Sequence, residues 1–383
     1  MDTLVFYISG HGFGHAARDI EVINTVHARA PEMRLVVRTS APQWLFDVTL
    51  RAPIEWAPLE CDTGVVQVDS LSVDVDATLR RAAEFYATFD ERAQAEADNL
   101  RRWSPALVVG DIPPLAFAAA HLAGVRSMAI GNFTWDWIYG GYEETAVVAP
   151  ALLETIGEAY AQADVALRLP LHAGFAPFRT VRDVPLIARR SRRPPGELGR
   201  HFGLPRDSRL VLPSFGGYGL RDVDVAALAT LDGYTVVITS DLTAARRGRE
   251  LEPQADSPAA LPATVRLLDE RDVYAAGFRY EDLVAAVDVV ATKPGYSIVA
   301  ECAANGTAML YTSRGRFLEY DMLVREMPRY VRAEFISNED LIGGRWQAPL
   351  DKLMRRSAPR GVNVDGADVV TEAISARAAR PSP

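Results

Sequence analysis

The stretch GHGFGHAAR, residues 10–18, packs three glycines and two histidines into a corner just after the apolar run LVFYIS. Glycine lets a backbone turn tightly and lets a ligand approach it closely. A turn needs no imidazole, and imidazole is the side chain that titrates nearest neutral pH. One of His11 and His15 is therefore expected to act as a general base. Such a base works better with a carboxylate that orients it and stabilises its protonated form. ALVVGDIPP offers Asp111 at the end of another apolar run. The same carboxylate suits the cap of the helix after the two prolines, and both roles can hold together.

A second corner lies in ATKPGYSIVAECAANG, residues 291–306. A strand is expected to end at Thr292, Lys293-Pro294-Gly295 to turn, and a helix to begin at Tyr296 or Ser297. Asn305-Gly306 closes that helix. A helix start with a bare glycine and a hydroxyl is an anion site, and Lys293 adds a full positive charge. Glu301 is four residues after Ser297, one turn deeper on the same face. A phosphate at the helix start with a ribose hydroxyl at Glu301 matches a nucleoside diphosphate. The loop SFGGYG, residues 214–219, also follows a strand and contributes Ser214, Gly216 and Gly217.

Both corners need strands and helices in alternation. LVFYIS, MRLVVRT, ALVVGD and VRSMAIGN are expected strands, with DIEVINTVHARA and PLAFAAAHLAG as helices between them. In the second half RLVLPSF, YTVVITS, VVAT and AMLYTS are strands, with YEDLVAAVD and SIVAECAAN as helices. Short apolar strands between helices imply parallel βαβ units, whose ligands sit beyond the carboxyl ends of the strands. The fold class is α/β, with two Rossmann-like domains facing across a cleft. The expected N-terminal domain spans 1–175, an Arg/Pro-rich linker 176–204, the C-terminal domain 205–360, and a helix and tail 361–383.

Composition narrows the functions. The 383 residues suffice for two cores, and a net charge of −9 repels polyanions, so no nucleic-acid partner is expected. Cys61 and Cys302 lie far apart without metal-like spacing, which suits free thiols in a reducing, cytoplasmic setting. No basic-then-apolar leader and no apolar run of spanning length is present. The G-x-G-x-G spacing differs from the dinucleotide fingerprint, and no acidic residue follows MRLVVRT, so a nicotinamide enzyme is not expected. The Asp-Val-Asp segments do not sit at strand ends, so no metal and no cofactor are expected. In NFTWDWIYGGY, residues 132–142, Trp135, Trp137 and Tyr139 alternate as on a strand or extended loop. They suit stacking on a sugar or a flat acceptor, or core packing. Asn132 and Asp136 are the polar candidates beside them.

Together YISGHGFGHAAR, CDTGVVQVDSLSVD, LVVGDIPPLAFAAAHLAGVRSMAIGNFTWDWIY, RDVPLIARR, SFGG and KPGYSIVAE resemble nucleotide-sugar glycosyltransferases of the GT-B fold. The resemblance is greatest to the glycosyltransferase-like N-terminal half of plant arabinokinases and their bacterial single-module relatives. It implies His15 as catalytic base and Asp111 as its paired carboxylate. It implies SFGG near the donor diphosphate, Glu301 on the ribose, and Glu319 and Asp321 in RGRFLEYDML on donor sugar hydroxyls. Gly12, Gly14, Lys293, Gly295, Tyr296, Ser297 and Phe278 complete the expected donor set. His11, Asn132, Trp135 and Asp136 are the expected acceptor set. Two departures stand out. Glu319 and Asp321 replace the usual Asp-Gln or Gln-Gln pair. Arg18 replaces a proline after the base histidine, an expected change of acceptor or added phosphate contact. No kinase-type phosphate loop occurs, so arabinose phosphorylation is not implied.

The function expected is metal-independent, inverting transfer of a hexose or pentose from a UDP-type sugar to a small-molecule or lipid-linked acceptor hydroxyl. The alternatives are a GT-B epimerase or hydrolase, and a non-catalytic nucleotide-sugar-binding module. His15 opens the helix after the glycine corner and can point toward an acceptor, whereas His11 lies nearer the strand end.

Overall fold

A computed structural model describes residues 2–69, 71–215, 223–240, 262 and 264–378. The chain divides into two compact units. One comprises 1–68, 73–188 and 363–383, the other 69–72 and 189–362.

The first unit is built on a seven-stranded sheet. Its strands are β1 (Thr3–Ile8), β2 (Arg34–Thr39), β3 (Glu55–Trp56), β6 (Leu107–Asp111), β7 (Ser127–Gly131), β8 (Val165–Arg168) and β9 (Val181–Asp183). A small antiparallel pair, β4 (Val66–Gln67) and β5 (Val73–Asp74), lies outside it. The sheet order is β3-β2-β1-β6-β7-β8-β9, parallel throughout. Every residue of β1 and β6 is buried, as fits a parallel sheet covered on both faces. The chain leaves β1 for β2 on one side and returns at β6 on the other. The topological switch point, where such sheets bind ligands, therefore lies between β1 and β6. Their register pairs Ile8 with Asp111.

Helix α1 (Gly14–Arg29) leaves the end of β1, and α2 (Pro114–Ala123) leaves the end of β6. Gly110 lets α2 approach closely, since a Cβ there would come within 2.7 Å of the Phe117 ring. Leu4, Phe6 and Ile8 pack with Ile20 and Ile23 of α1, and with Val370 and Ile374 of the terminal helix Gly366–Ala378. That helix is tied down by the Gly366 N–H donating to Leu186 O at 3.0 Å, and by Arg29 pairing with Asp368 and Glu372.

Within 176–204, Val181–Asp183 form a strand of this first sheet, and Glu197–His201 form a short helix. The aromatic stretch after Thr134 differs from the extended segment its alternation suggested. Trp135–Gly140 is helical. Positions 135 and 139 are four apart, so a helix puts both on one face. There the two rings stack, 5.6 Å apart and 20° from coplanar.

Among the described residues, the second unit has six parallel strands, β10 (Arg209–Ser214), β11 (Tyr234–Ser240), β12 (Val265–Asp269), β13 (Val289–Thr292), β14 (Ala308–Tyr311) and β15 (Ala333–Phe335). Their order is β12-β11-β10-β13-β14-β15, so the switch point lies between β10 and β13. The register there pairs Ser214 with Thr292. Helix α3 (Tyr296–Asn305) leaves β13 and ends at Gly306, whose φ of +73° is the left-handed cap. Both cysteines are free and buried. Among the described residues, no helix is long and apolar enough to cross a membrane.

Candidate active site

At the first switch point, three strand ends and one helix bring a polar cluster together. His15 is the second residue of α1 and is buried. Its Nδ1 lies 2.9 Å from Asp111 Oδ1 at the end of β6. The chain turns out of β6 immediately afterwards through Ile112, whose φ is +73°. That conformation is strained for a β-branched residue and persists only where the surroundings hold it. Here the Tyr160 hydroxyl donates to Ile112 O at 2.9 Å.

Arg18, one turn along α1, contributes more contacts than any other side chain in the cluster. Its Nε donates to Asp111 Oδ2 at 2.5 Å, its Nη2 to Asp111 Oδ1, and its Nη1 to Asn132 Oδ1. Its Nη2 is also 2.9 Å from His15 Nδ1. The guanidinium is buried. These contacts make it a counter-ion inside the cluster. Burial works to raise the Asp111 pKa. The Arg18 charge, His15 and their hydrogen bonds outweigh it and hold Asp111 well below the usual carboxylate range.

The expected acceptor residues sit around this core. Asn132 is buried, and its Nδ2 donates to Pro170 O at 2.6 Å, so both ends of its amide are engaged. Trp135 is 1% exposed and packs among His11, Phe133 and Tyr139. It supports the site and offers no open face for stacking. Asp136 is half-buried in the first turn of the same helix, and burial raises its pKa. His11 is half-buried. Its Nδ1 accepts from Val65 N at 3.4 Å, and its ring meets Trp135 edge-on at 5.7 Å. Gly64 admits that ring, because its φ is +59° and a Cβ there would come within 2.8 Å of it. Gly12 is exposed in the turn, and Gly14 opens α1.

Sequence reasoning missed Asp62. It accepts from Ser9 Oγ at 3.0 Å and from Trp135 Nε1 at 2.9 Å. Burial pushes its pKa up to about 6, helped by Asp111 and opposed by His15 and the two hydrogen bonds. The CDTG stretch contained the signal, but nothing local connects it to a corner fifty residues earlier. A carboxyl that keeps its proton longer when folded makes the protein lose stability as pH rises between its unfolded value, near ~4, and about 6. Asp62→Asn removes that loss. The variant should gain on the parent by up to about 3 kcal/mol between pH ~4 and ~7. Urea unfolding at the two pH values measures this, and a constant gap would mean that Asp62 titrates alike in both states.

The second switch point carries the Lys-Pro-Gly corner. Gly295 caps α3 in extended backbone with no side-chain bond, followed by Tyr296 and Ser297 in the first turn. Lys293 is pushed down to about 7 by burial and then by the Arg314 charge, against Asp69 and Glu319. Arg314 donates to Pro294 O at 3.2 Å, lies 3.5 Å from Glu319 Oε1 and covers the Phe317 ring. Glu319 therefore belongs with this corner, whereas Asp321 is exposed on the next helix. Ser214 Oγ meets the Tyr280 hydroxyl at 2.6 Å, and its carbonyl accepts from Thr292 Oγ1. Gly216 and Gly217 lie outside the described residues.

Glu301 is buried on α3, and Arg189 reaches it from 112 residues earlier. Arg189 Nε donates to Oε1 at 2.7 Å and Nη2 approaches the same oxygen at 2.5 Å. Burial raises the Glu301 pKa, against the pull of Arg189. Phe278 is buried and packs with His201, Phe202 and the Arg193 guanidinium.

No protein-family model matches the chain. Solved structures match it nearly end to end. The calicheamicin glycosyltransferase CalG4 aligns over 100% of both chains at 16% identity and a TM-score of 0.60. The kitacinnamycin glycotransferase aligns over 98% of this chain and 95% of its own, at 16% identity and a TM-score of 0.61. The chain has the GT-B fold. A third GT-B neighbour, Phytolacca americana UGT2 solved with UDP-2-fluoro-glucose and pterostilbene, aligns over 99% of this chain and 94% of its own. It is 12% identical, with a TM-score of 0.57. Among curated sequences, L-arabinokinase of Arabidopsis thaliana is 27% identical over 379 residues, 97% of this GT-B chain. The chain spans about a third, 34%, of that relative's length.

Proposed function

We propose that this GT-B protein is an inverting glycosyltransferase that moves a sugar from a nucleoside-diphosphate donor, UDP-type, to an acceptor hydroxyl. The observation that carries the reading is the buried His15–Asp111 contact of 2.9 Å at the first switch point. His15 Nδ1 can serve only one neighbour at a time. Donating to Asp111 leaves a lone pair on Nε2, the tautomer that a base needs. Nε2 then takes the acceptor proton as the acceptor oxygen attacks the anomeric carbon. Asp111 stabilises the imidazolium, and the leaving diphosphate departs with the bonding pair. General-base help of this kind is worth ~10²–10⁴ in rate.

The donor is assigned to the α3 corner. The first-turn N–H groups of α3 and the Lys293 and Arg314 cations suit a diphosphate without a metal. An anion beside Lys293 favours its charged form, so donor binding is expected to take up protons near pH 7. Neighbours of the same fold, solved with a UDP sugar analogue and with dTDP, support this class of donor. The pterostilbene bound to UGT2, and the aglycone bound to another neighbour of the fold, the spinosyn rhamnosyltransferase SpnG, support a small-molecule acceptor.

The test is release of nucleoside diphosphate from a panel of donors, with and without hydroxyl acceptors, with chelator present throughout. Acceptor-dependent release with inversion at the anomeric carbon is expected. Acceptor-free turnover would instead assign an epimerase or hydrolase. A raised unfolding midpoint without turnover would assign a binding module.

Glu301 has two claims on it, the donor ribose and Arg189. Both Arg189 contacts are on Oε1. Glu301→Gln keeps an acceptor for Arg189, which retains Glu281 at 3.9 Å as a carboxylate partner, and removes the charge. Nucleoside-diphosphate affinity should fall roughly tenfold, the difference between a charged and a neutral hydrogen bond. Calorimetry measures it, and unchanged affinity would leave Glu301 as the Arg189 counter-ion alone.

A further inference from the structure

The face of α1 that presents His15 also presents Arg18 and Asp19, three and four residues on. Asp19 is fully buried. Neither of its carboxyl oxygens receives a proton from an N–H or O–H group among the described residues. Its neighbour Arg18 on the same face is the guanidinium that holds both oxygens of Asp111, and the charges of Asp111 and Arg18 both act on Asp19. Arg18 directs Nε and Nη2 to Asp111 and Nη1 to Asn132. Two ionised carboxylates cannot share a site this dry, so one of them keeps a proton. Asp111 is the one held as the anion, because it accepts from Arg18 and contacts His15.

We propose that Asp19 is a neutral carboxylic acid whose O–H donates to Asp111, making it a positioning residue behind the His15–Asp111 pair. Burial, followed by the Asp111 charge and the hydrogen bond between them, acts on Asp19 in the same direction, raising its pKa well above the carboxylate range. Asp111 is then held from three sides, by an imidazole, a guanidinium and a carboxylic acid. Arg18 alone would pull the carboxylate toward itself. The Asp19 proton adds a second anchor without adding charge, so Oδ1 stays in place for His15. The assignment of the proton stands on this cluster. Its effect on turnover rests on the transfer reading above.

Asp19→Asn and Asp19→Ala separate the possibilities. An Asn amide is neutral and can donate to Asp111, as the carboxylic acid does. Difference infrared spectra at pH ~8, where Asp62 with its value of about 6 is ionised, should show a protonated-carboxyl band in the parent that Asp19→Asn removes. Asp19→Asn should keep kcat within about twofold, while Asp19→Ala lowers it about tenfold at unchanged donor KM, the worth of one lost hydrogen bond. No band lost on Asp19→Asn overturns the proposal, and so does an Asn variant as impaired as the Ala variant. If the parent turns over no donor, the infrared comparison still decides where the proton is. If Asp19→Ala does not fold, the Asn variant and the spectra carry the test.

Discussion

His15→Ala is expected to lower kcat by ~10²–10⁴ and to leave donor affinity nearly intact, since on the transfer reading it removes the proposed proton acceptor and nothing proposed to hold the nucleotide. The comparison that gives this weight is His11→Ala at saturating donor. His11 meets the Val65 N–H and the Trp135 edge, while His15 is backed by Asp111. His11→Ala is therefore expected to act mainly through KM for the acceptor. Far-UV spectra and unfolding midpoints of the two variants check that both remain folded. If His11→Ala abolishes turnover while His15→Ala stays within about threefold of the parent, well below the usual worth of a general base, the base is His11. Asp111→Asn is a poor control here. It would leave Arg18 buried without its counter-ion, and any loss of rate would be mixed with a loss of structure.

The second large effect is on stability. Arg18→Leu removes the cation that balances Asp111 and the donor that satisfies Asn132 Oδ1. Breaking a buried pair by deleting one partner costs about 3–5 kcal/mol, since the other charge is left uncompensated. The pH dependence has a definite sign. In the parent, the depressed Asp111 pKa contributes stability that is present above the unfolded value near ~4 and is lost as pH falls through the folded value. Without Arg18 the folded value rises, so Asp111 is protonated at mildly acidic pH and needs no counter-ion. The deficit of Arg18→Leu should therefore be largest near neutral pH and narrow toward pH ~4. Urea unfolding across that range reads it directly. A deficit under about 1 kcal/mol that does not change with pH would show that the guanidinium contributes packing and little charge balance.

Both glycine corners were legible in the chain, for local reasons, whereas their place at the switch points followed only from the sheet order. Gly-rich corners after apolar runs, LVFYIS before residue 10 and VVAT before Lys293, are short-range patterns that the backbone obeys wherever they occur. Pairing Asp111 with His15 needed more than a pattern. It needed the parallel register of β1 with β6, which brings Asp111 beside Ile8 across about a hundred residues of intervening chain. The Trp135 helix was misjudged because alternating aromatics fit both a strand and an i, i+4 face, and local spacing does not separate the two.

By itself the sequence determined the α/β alternation, the two glycine corners, the helix starts that suit a base and an anion, and the absence of long apolar runs among those elements. Each depends on residues within a few positions of one another. Only the tertiary structure decided what each polar side chain is spent on. Arg18 became a counter-ion because β6 and β7 end opposite α1. Asp62 entered the first cluster through Ser9 and Trp135, and Glu301 met an arginine from 112 residues away. The physical reason is that a charge in a dry interior must find a partner within a few ångströms. Which partner it finds depends on sheet order and register, quantities that no single stretch of chain contains.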